Sequence, residues 1–489
     1  MCSRRWCSTR RRRCMNARCR AALLAAGLCL CVAAAPVRAQ SLDAAPCPST
    51  HDAGVLLTVP LTLPAAVDLA LCHNAQVHGA WAGIRLQAAG LGEARAAYLP
   101  TLNAGASRLH DRTAYPGSST ASGSLNSNTA SLNLSWRLFD FGGRAAGQRS
   151  AQDLLDAALA NRDAVLQKTL AATVSAYFEA QTARASVRMR QEYQALAHET
   201  VLATQRRAQR GLGSHSDTLQ ATSALAKASL GASRADGEFQ KARAVLVYTL
   251  GLPADAGVIL DDDADGAAAG LREGLQDELQ AWLALAQAQH PAILAAQAQL
   301  AAARERVDVT RSEGRPSIDL TANLYQNGRP NQGLSAASTR ETLVGISLNI
   351  PLFDGFARQY KVRGALAQAG QREAEAEEVR QQTLMALVKT HAEASTALSN
   401  LAASQVWLDA ARDALASVQR KFGLGAADIL EMLNTQSALL EAQQERIRCQ
   451  AEWRSARLRL LASAGVLGRD DIPDGGVKSG GKLRASTAQ

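Results

Sequence analysis

The sequence has few aromatic residues and no enzyme motif. Phenylalanine, tyrosine and tryptophan make up only 4% of the 489 residues, whereas aromatic side chains usually dominate the cores and pockets of compact enzymes. There is no His-Glu-x-x-His, no Gly-x-Ser-x-Gly and no Walker loop with its lysine. The eight histidines are scattered, so we predict no metal site. We expect neither an enzyme nor a cofactor.

Long apolar runs are also missing beyond the N-terminal leader. Without about 20 consecutive apolar residues a membrane-spanning helix is not predicted there, so any membrane contact must come from strands. The formal net charge of +9 does not indicate nucleic-acid binding. Nine arginines and no Lys, Asp or Glu lie in residues 1–39, and they account for the whole basic excess.

The leader has the pattern of a secretory signal peptide at 1–39, cleaved after Ala39. Its apolar stretch is too short for a membrane anchor, and Met15 rather than Met1 is a possible start. No lipid-attachment signal is present. Six of the nine cysteines lie in this leader. Of the others, Cys47 and Cys72 could pair in an oxidising compartment, with unpaired thiols as the alternative.

A long internal duplication is the clearest pattern in the chain. Leu138-Phe139-Asp140 recurs as Leu352-Phe353-Asp354, an offset of 214 residues, whereas Pro100 and Pro316 nearer the front are 216 apart. A constant offset over this length predicts two copies of one unit. We place the copies at 62–251 and 276–465, with an N-terminal extension at 40–61, a connector at 252–275 and a disordered tail at 466–489.

Each copy contains two segments in which apolar and polar residues alternate. The alternation is strict in 131–138, 318–325 and 344–352 and weaker in 102–107, which predicts four strands of about 7–10 residues. Such strands fit a tilted membrane barrel, although a half-buried soluble sheet has the same period. The polar segments Asp111–Ala130 and Gln326–Glu341 are predicted to be hairpin loops.

Each copy also contains one very long helical pattern. Arg144–Arg210 has no proline and one glycine, and at 1.5 Å per residue it predicts a helix of about 100 Å. Ala357–Leu424 repeats the pattern. Shorter helices are predicted at Thr62–Tyr98 and Asp217–Leu250, stacked end to end beside the long one. The fold class is therefore mainly α with a membrane β-sheet.

Four strands are too few to close a membrane barrel, because the smallest have about eight. An open sheet would leave backbone groups unpaired in lipid, at a cost of several kcal/mol each. We therefore predict a trimer with a twelve-stranded barrel, continued by a long α-helical barrel. Asp140 and Asp354 are predicted to cap the long helices where strand becomes helix, and Gly142, Gly143 and Gly355 to permit the bend.

The duplication, the two Leu-Phe-Asp joints and two glycine-containing turns resemble the TolC-type outer-membrane efflux family. The turns contain Gly211 and Gly213 in the first copy and Gly423 and Gly425 in the second. The resemblance covers about Thr62–Gly465. It implies an outer-membrane channel with a periplasmic tunnel, docked to a periplasmic adaptor and an inner-membrane ATP-driven transporter. The missing lipid signal looks like the protein-secretion branch, which implies type I secretion of a protein toxin.

The resemblance also implies a gate at the periplasmic tip. In the family, acidic residues after the second turn form a cation-favouring ring. Glu431 matches the first position, and Asn434 occupies the second, where relatives often carry an acid. Phe422 and Asp217 match the partners of a closing hydrogen bond, but Phe422 has no hydroxyl group. Ala427 stands where a relative has a basic linking residue, so other contacts must hold the tip closed.

Three alternatives stay open from the sequence alone. Read without the resemblance, Asp217 and Glu431 are ordinary acidic residues in the first turn of a helix, favoured by the helix dipole. The cargo could be small molecules rather than a protein. A coiled-coil scaffold of the cell envelope is the alternative of another class, and it would have no need of four matched amphipathic strands.

Overall fold

The computed structural model describes residues 60–113, 123–261, 279–327 and 339–468. The predicted signal peptide, Cys47 and most of the N-terminal extension lie outside these residues. So do the tips of both predicted hairpin loops, part of the connector and most of the predicted tail.

Within the described residues the two copies repeat one order of elements, which is two shorter helices, two strands, one long helix and one further helix. The first copy consists of α1 (Leu63–His73), α2 (Ala75–Ala96), β1 (Thr101–Thr113), β2 (Gly123–Phe139), α3 (Gly143–Gln209) and α4 (His215–Thr249). The second consists of α5 (Leu279–Gln289), α6 (Pro291–Ser312), β3 (Ser317–Asn327), β4 (Thr339–Asn349), α7 (Ala357–Gly423) and α8 (Ile429–Ser463).

The long helices α3 and α7 each have 67 residues, in agreement with the predicted lengths. Both end in the same way, because Gly211 and Gly425 take the left-handed conformation with φ of +72° and +80°. The next amide then bonds back to the last turn of the helix, from Leu212 N to Arg207 O at 2.9 Å and from Ala426 N to Lys421 O at 2.9 Å. Glycine adopts this conformation without a side-chain penalty.

The single helix predicted at Thr62–Tyr98 is wrong, since the chain breaks at Asn74 into α1 and α2. Asn74 is extended, and its side-chain oxygen accepts a hydrogen bond from Gln76 N at 2.8 Å. At the corresponding break in the second copy, His290 Nδ1 accepts from Ala292 N at 3.2 Å, and Pro291 starts the next helix. Asn is a preferred N-cap and proline suits the first helical position, so both signals were present in the sequence.

The four strands form one antiparallel sheet in the order β1-β2-β3-β4. The strands have 11–17 residues, longer than predicted, and the hairpin-loop bounds are accordingly wrong. β1 continues to Thr113 and β2 begins at Gly123, inside the predicted loop Asp111–Ala130. Main-chain hydrogen bonds extend the ladder through Ser, Asn and Thr residues, whether or not the side chains are apolar.

The largest hydrophobic cluster lies where helices of both copies meet near the middle of α3. Leu246, Leu250 and Val174 are fully buried there. Leu61 pairs with Leu260 in an isolated β-bridge, so the connector begins as part of this core. Leu467 is buried in the same cluster, and the prediction that disorder begins at residue 466 is therefore wrong for 466–468.

A buried tyrosine fixes the N-terminal segment to this core. The Tyr177 hydroxyl donates to Leu61 O at 3.1 Å, and burial, with a smaller effect of the Asp261 charge, raises the pKa of Tyr177 to about 12. None of the helices in the described ranges combines the length and apolar character needed to span a membrane.

Candidate gate and strand–helix joints

The first tip turn uses its acidic residue within its own helix. Ser214 is the N-cap of α4, and its backbone amide donates to Asp217 Oδ2 at 3.2 Å. The Ser214 hydroxyl in turn accepts from Ser216 N at 3.1 Å. This capping box satisfies amides at the helix start. Asp217 is half-buried, and its carboxylate is engaged locally.

The second tip turn leaves its acidic residue free. Asp428 is the N-cap of α8, and its side chain accepts from Glu431 N at 2.6 Å. The Glu431 side chain is exposed, and it makes no ion pair within the part of the chain that the structure describes. Asn434 is also exposed, about one helical turn further on. The Glu431 carboxylate is therefore open to solvent.

Phe422 lies between the two turns in an apolar cluster. It is only 8% exposed and is clustered with Val418, Ile429 and Met432. The guanidinium carbon of Arg207 lies 4.6 Å from the centroid of its ring. Arg207 Nη1 also donates to the backbone oxygen of Phe422 at 2.6 Å. One side chain at the end of α3 thus binds both the ring and the carbonyl group at the end of α7.

Arg207 is a tip residue that the sequence reasoning missed. Nothing in its spacing in the sequence indicates an aromatic partner 215 residues away. The Arg207 backbone oxygen also accepts the hydrogen bond from Leu212 N that closes the first turn, and a side chain at Gly213 would approach Arg207 Cβ to 3.2 Å. Gly423, by contrast, is the last residue of α7, and a Cβ atom added there would meet no other atom of the chain within 4 Å. Contacts within the chain therefore do not require glycine at this position.

The strand–helix joints differ in detail from their predicted form. The N-cap positions are Gly142, which has no side chain, and Phe356, whose side chain makes no cap hydrogen bond; they are not Asp140 and Asp354. The two aspartates cap from further upstream: Asp140 Oδ2 accepts from Arg144 N at 2.8 Å, and Asp354 Oδ2 accepts from Arg358 N at 3.0 Å. The predicted capping role holds, but its position was wrong.

Two consecutive left-handed residues produce the bend at each joint. Phe141 and Gly142 have φ of 52° and 90°, and Gly355 and Phe356 have φ of 67° and 66°. The glycine is second in one copy and first in the other. Gly143 is not left-handed; it is already helical, and a side chain there would collide with Ser312.

An arginine also joins each strand to its helix. Arg144 donates from Nη1 to Arg137 O at 2.6 Å and from Nη2 to Leu138 O at 3.1 Å. It pairs with Asp140 at 3.2 Å. At the other joint Arg358 Nη2 donates to Pro351 O at 3.3 Å. These contacts fix the angle at which each long helix leaves the sheet.

The described residues include two cysteines, and these differ in state. Cys72 is disulfide-bonded, its partner lies outside the described residues, and pairing with Cys47 stays a prediction. Cys449 is a buried free thiol, and burial raises its pKa, which disfavours the reactive thiolate form. The described residues contain no group of three or more His, Cys, Asp or Glu placed to hold a metal ion.

Comparisons with known proteins agree on one family. A family model described as "Outer membrane efflux protein" matches residues 66–252 and 282–466, one range in each copy. Protein CyaE of Bordetella pertussis is 38% identical over 415 residues, which cover 84% of this chain and 85% of that protein. Alkaline protease secretion protein AprF of Pseudomonas aeruginosa is 24% identical over 349 residues, 71% of each chain. The solved structure of the outer-membrane channel OprN has a similar fold, with a TM-score of 0.70 at 22% identity, covering 83% of this chain and 90% of that one.

Proposed function

The chain belongs to the outer membrane efflux protein family, and from this premise we propose that it is the passive conduit through which a type I secretion system exports a protein. Members of the family are outer-membrane channels with a periplasmic helical tunnel, and they catalyse no reaction. What remains to be proposed for this chain is its cargo, its partners and its gate.

The main support for a conduit is that the sheet ends in two edge strands, β1 and β4. Within the described residues, β1 and β4 each have a strand neighbour on one side only. In a membrane these edges must be paired, because lipid offers no hydrogen bonds. Three copies supply twelve strands, enough for a closed barrel, and helices of about 100 Å can extend that barrel across the periplasm.

A protein cargo is supported by the similarity to CyaE and AprF, the second of which is named for the secretion of a protease. The cargo we favour is a protein toxin of the cyclolysin (adenylate cyclase toxin) type. The partners we propose are a periplasmic adaptor and an inner-membrane ATP-driven transporter, because a passive channel needs an energy source elsewhere.

The gate we propose consists of the two tip turns. Three copies of the exposed Glu431 would form a ring of like charges, which favours cations and binds divalent cations. Asn434 adds no charge, so the ring has one carboxylate per chain. Asp217 has a local capping role, and Arg207 on Phe422 takes the place of the closing hydrogen bond that Phe422 is unable to make.

Small-molecule efflux is the second candidate, and the description of the family as efflux proteins favours it. The two are separated by expressing the full chain in a Gram-negative host that lacks its own channel of this type, with the transporter and adaptor of a toxin secretion system. We expect the toxin to appear in the medium while the host's drug sensitivity stays unchanged. Restored drug tolerance without secreted toxin would favour efflux and reject the protein cargo.

A further inference from the structure

A polar groove crosses four neighbouring helices near the sheet. The helices α2, α3, α6 and α7 lie side by side in that order, because α3 contacts both α2 and α6, and α6 contacts α7. One groove of about 650 Å³, a volume typical of ligand pockets, is lined by residues of all four helices. A single groove can reach four helices of one layer only on the concave side of that layer. In the proposed conduit this side faces the tunnel.

The lining of this groove combines amide side chains with two arginines, and none of its described members is acidic. The amide side chains are those of Gln87, Asn161, Gln299, Gln368 and Gln371. Gln371 donates to Glu375 Oε1 at 2.9 Å. The other four amides make no side-chain hydrogen bond to any part of the chain that the structure describes, so they are open to a ligand.

Arg306 is the unpaired charge of the groove. It is exposed, and its guanidinium group has no ion pair or hydrogen bond with any other described residue. Every other charged side chain of α6 is paired, in the ion pairs Arg304–Glu373 at 3.2 Å, Arg149–Glu305 at 2.8 Å and Arg311–Asp308 at 2.9 Å. Arg372, the second arginine of the groove, donates from Nη1 to Glu375 Oε2 at 2.7 Å. Because a guanidinium group has five N–H donors, this bond leaves others for a ligand.

The fold does not require these two arginines. The equivalent positions in the first copy are Ala158, 214 residues before Arg372, and Gly90, 216 residues before Arg306. The first copy therefore builds the same helices with small residues at both places. Since exposed charges contribute little to stability, binding is the better explanation of the two arginines.

We propose that this groove binds an extended, carboxylate-rich segment of the exported polypeptide. A guanidinium group binds a carboxylate through two parallel, charge-assisted hydrogen bonds. An extended chain also has unpaired backbone N–H and C=O groups, and a carboxamide can donate to one and accept from the other. This combination recognises a polypeptide rather than a free anion. The inference rests on the proposed function, because it assumes a protein cargo and a concave side that faces the tunnel.

The groove lies toward the sheet end of the tunnel. At 1.5 Å per residue, Arg372 is about 20 Å from the start of α7 at Ala357 and about 75 Å from its end at Gly423. An acidic peptide can therefore reach the groove from the sheet end without passing the tip. The tunnel then carries negative charge at the tip, from Glu431, and positive charge near its exit. This order repels a carboxylate-rich segment from the entrance and holds it near the exit.

Binding is tested with the purified full-length trimer in detergent and a short, fluorescently labelled peptide of Gly-Glu repeats. The anisotropy of the label measures the Kd. The test variant is Arg306→Gln with Arg372→Gln, which removes both charges at exposed positions and should leave the fold intact. Arg304→Gln is the matched control, because Arg304 is on the same helix but pairs with Glu373 and does not line the groove.

We expect the double variant to raise the Kd of the acidic peptide on the order of tenfold and the control to leave it unchanged. A peptide of Gly-Gln repeats should bind more weakly than the acidic one to the wild type. Equal affinity of the double variant and the wild type would overturn the proposal. Free glutamate that competes as well as the peptide, at the same concentration of carboxylate, would also overturn it, because the site would then be one for small anions.

Conductance separates this proposal from the conduit itself. The acidic peptide, added at the sheet end of the channel in a planar bilayer, should block the current of the wild type at about one tenth of the concentration that the double variant needs. A channel that conducts but is blocked equally in both proteins would overturn the groove and leave the conduit intact. A trimer that binds the peptide but never conducts would overturn the conduit, and this inference with it.

Discussion

Arg207 Nη1 donates a 2.6 Å hydrogen bond to the backbone oxygen of Phe422 while the guanidinium group lies over the Phe422 ring. The two residues end the two long helices, so this contact ties both tip turns of one chain together. A cation over an aromatic ring contributes about 0.5–2 kcal/mol, and a hydrogen bond from a charged donor adds a similar amount.

Removing the guanidinium group should loosen the tip. For Arg207→Ala we expect the ratio of open to closed channels to rise about five- to thirty-fold, because a loss of 1–2 kcal/mol has that effect on a two-state equilibrium. Single-channel recording measures this ratio. Arg206→Ala is the matched control, since Arg206 is exposed and its side chain bonds Leu202 O of its own helix. Equal open fractions in the two variants would remove Arg207 from the gate.

The Glu431 ring should set the sensitivity to divalent cations. Glu431→Gln removes the charge with little change in shape, and we expect the concentration for half-block by Mg²⁺ to rise on the order of tenfold, because like charges held close together attract divalent cations. Asn434→Asp should lower the concentration of Mg²⁺ for half-block, because it adds a second ring of carboxylates. Glu441→Gln, on the same helix but further from the turn, is the control. Unchanged block in Glu431→Gln would contradict the assignment.

His290 should make stability depend on pH. Burial lowers its pKa below the ordinary 6.5, and its Nδ1 must be unprotonated to accept the bond from Ala292 N. The unfolded chain therefore takes up a proton first, so stability is lost as the pH falls through 6.5 toward the lowered pKa. The His290→Asn substitution introduces the residue that the first copy has at the equivalent position, Asn74. It should keep the helix cap and reduce the loss of stability at low pH.

The comparison is made by thermal unfolding of both proteins from pH 7.5 to pH 5. As the pH falls, the free energy of unfolding of the His290→Asn variant should rise relative to that of the wild type. We expect the difference to reach roughly 1 kcal/mol, the value of one helix cap. Parallel stability curves for the two proteins would show that His290 does not titrate with folding.

Gly251 should not tolerate a side chain. It has φ of +72°, and a Cβ atom there would collide with the backbone of His73 and Asn74 at the α1–α2 break. Gly251→Ala should lower stability by more than the roughly 1 kcal/mol of left-handed strain alone, because backbone has to move. Gly257→Ala is the control, with φ not positive and open space around it. Equal unfolding midpoints for both variants would contradict the close approach.

The sequence predicted features that depend on long periodic patterns. The ends of α3 and α7 were predicted within one or two residues, because unbroken helical periodicity and a following glycine leave few alternatives. The break at Asn74 was missed although Asn is a good cap, because the apolar period continues through it. The strand ends were missed since polar residues extended the ladder.

The side-chain contacts at the tip could not be predicted from the sequence. Asp217 and Glu431 both stand in the first turn of a helix, yet Asp217 folds back onto Ser214 and Glu431 does not. The neighbouring residues decide this, and periodicity does not report them. Arg207 and Phe422 are distant in sequence, and only the fold brings the ends of the two long helices to the same apolar cluster at the tip.

A trimeric conduit is best tested by its conductance. The purified full-length protein, checked for its trimeric mass in detergent, is added to a planar lipid bilayer with a salt gradient. We expect discrete conductance steps whose reversal potential shows a preference for cations. A monomer that inserts without conducting, or a trimer that gives no steps even as Arg207→Ala, would contradict it.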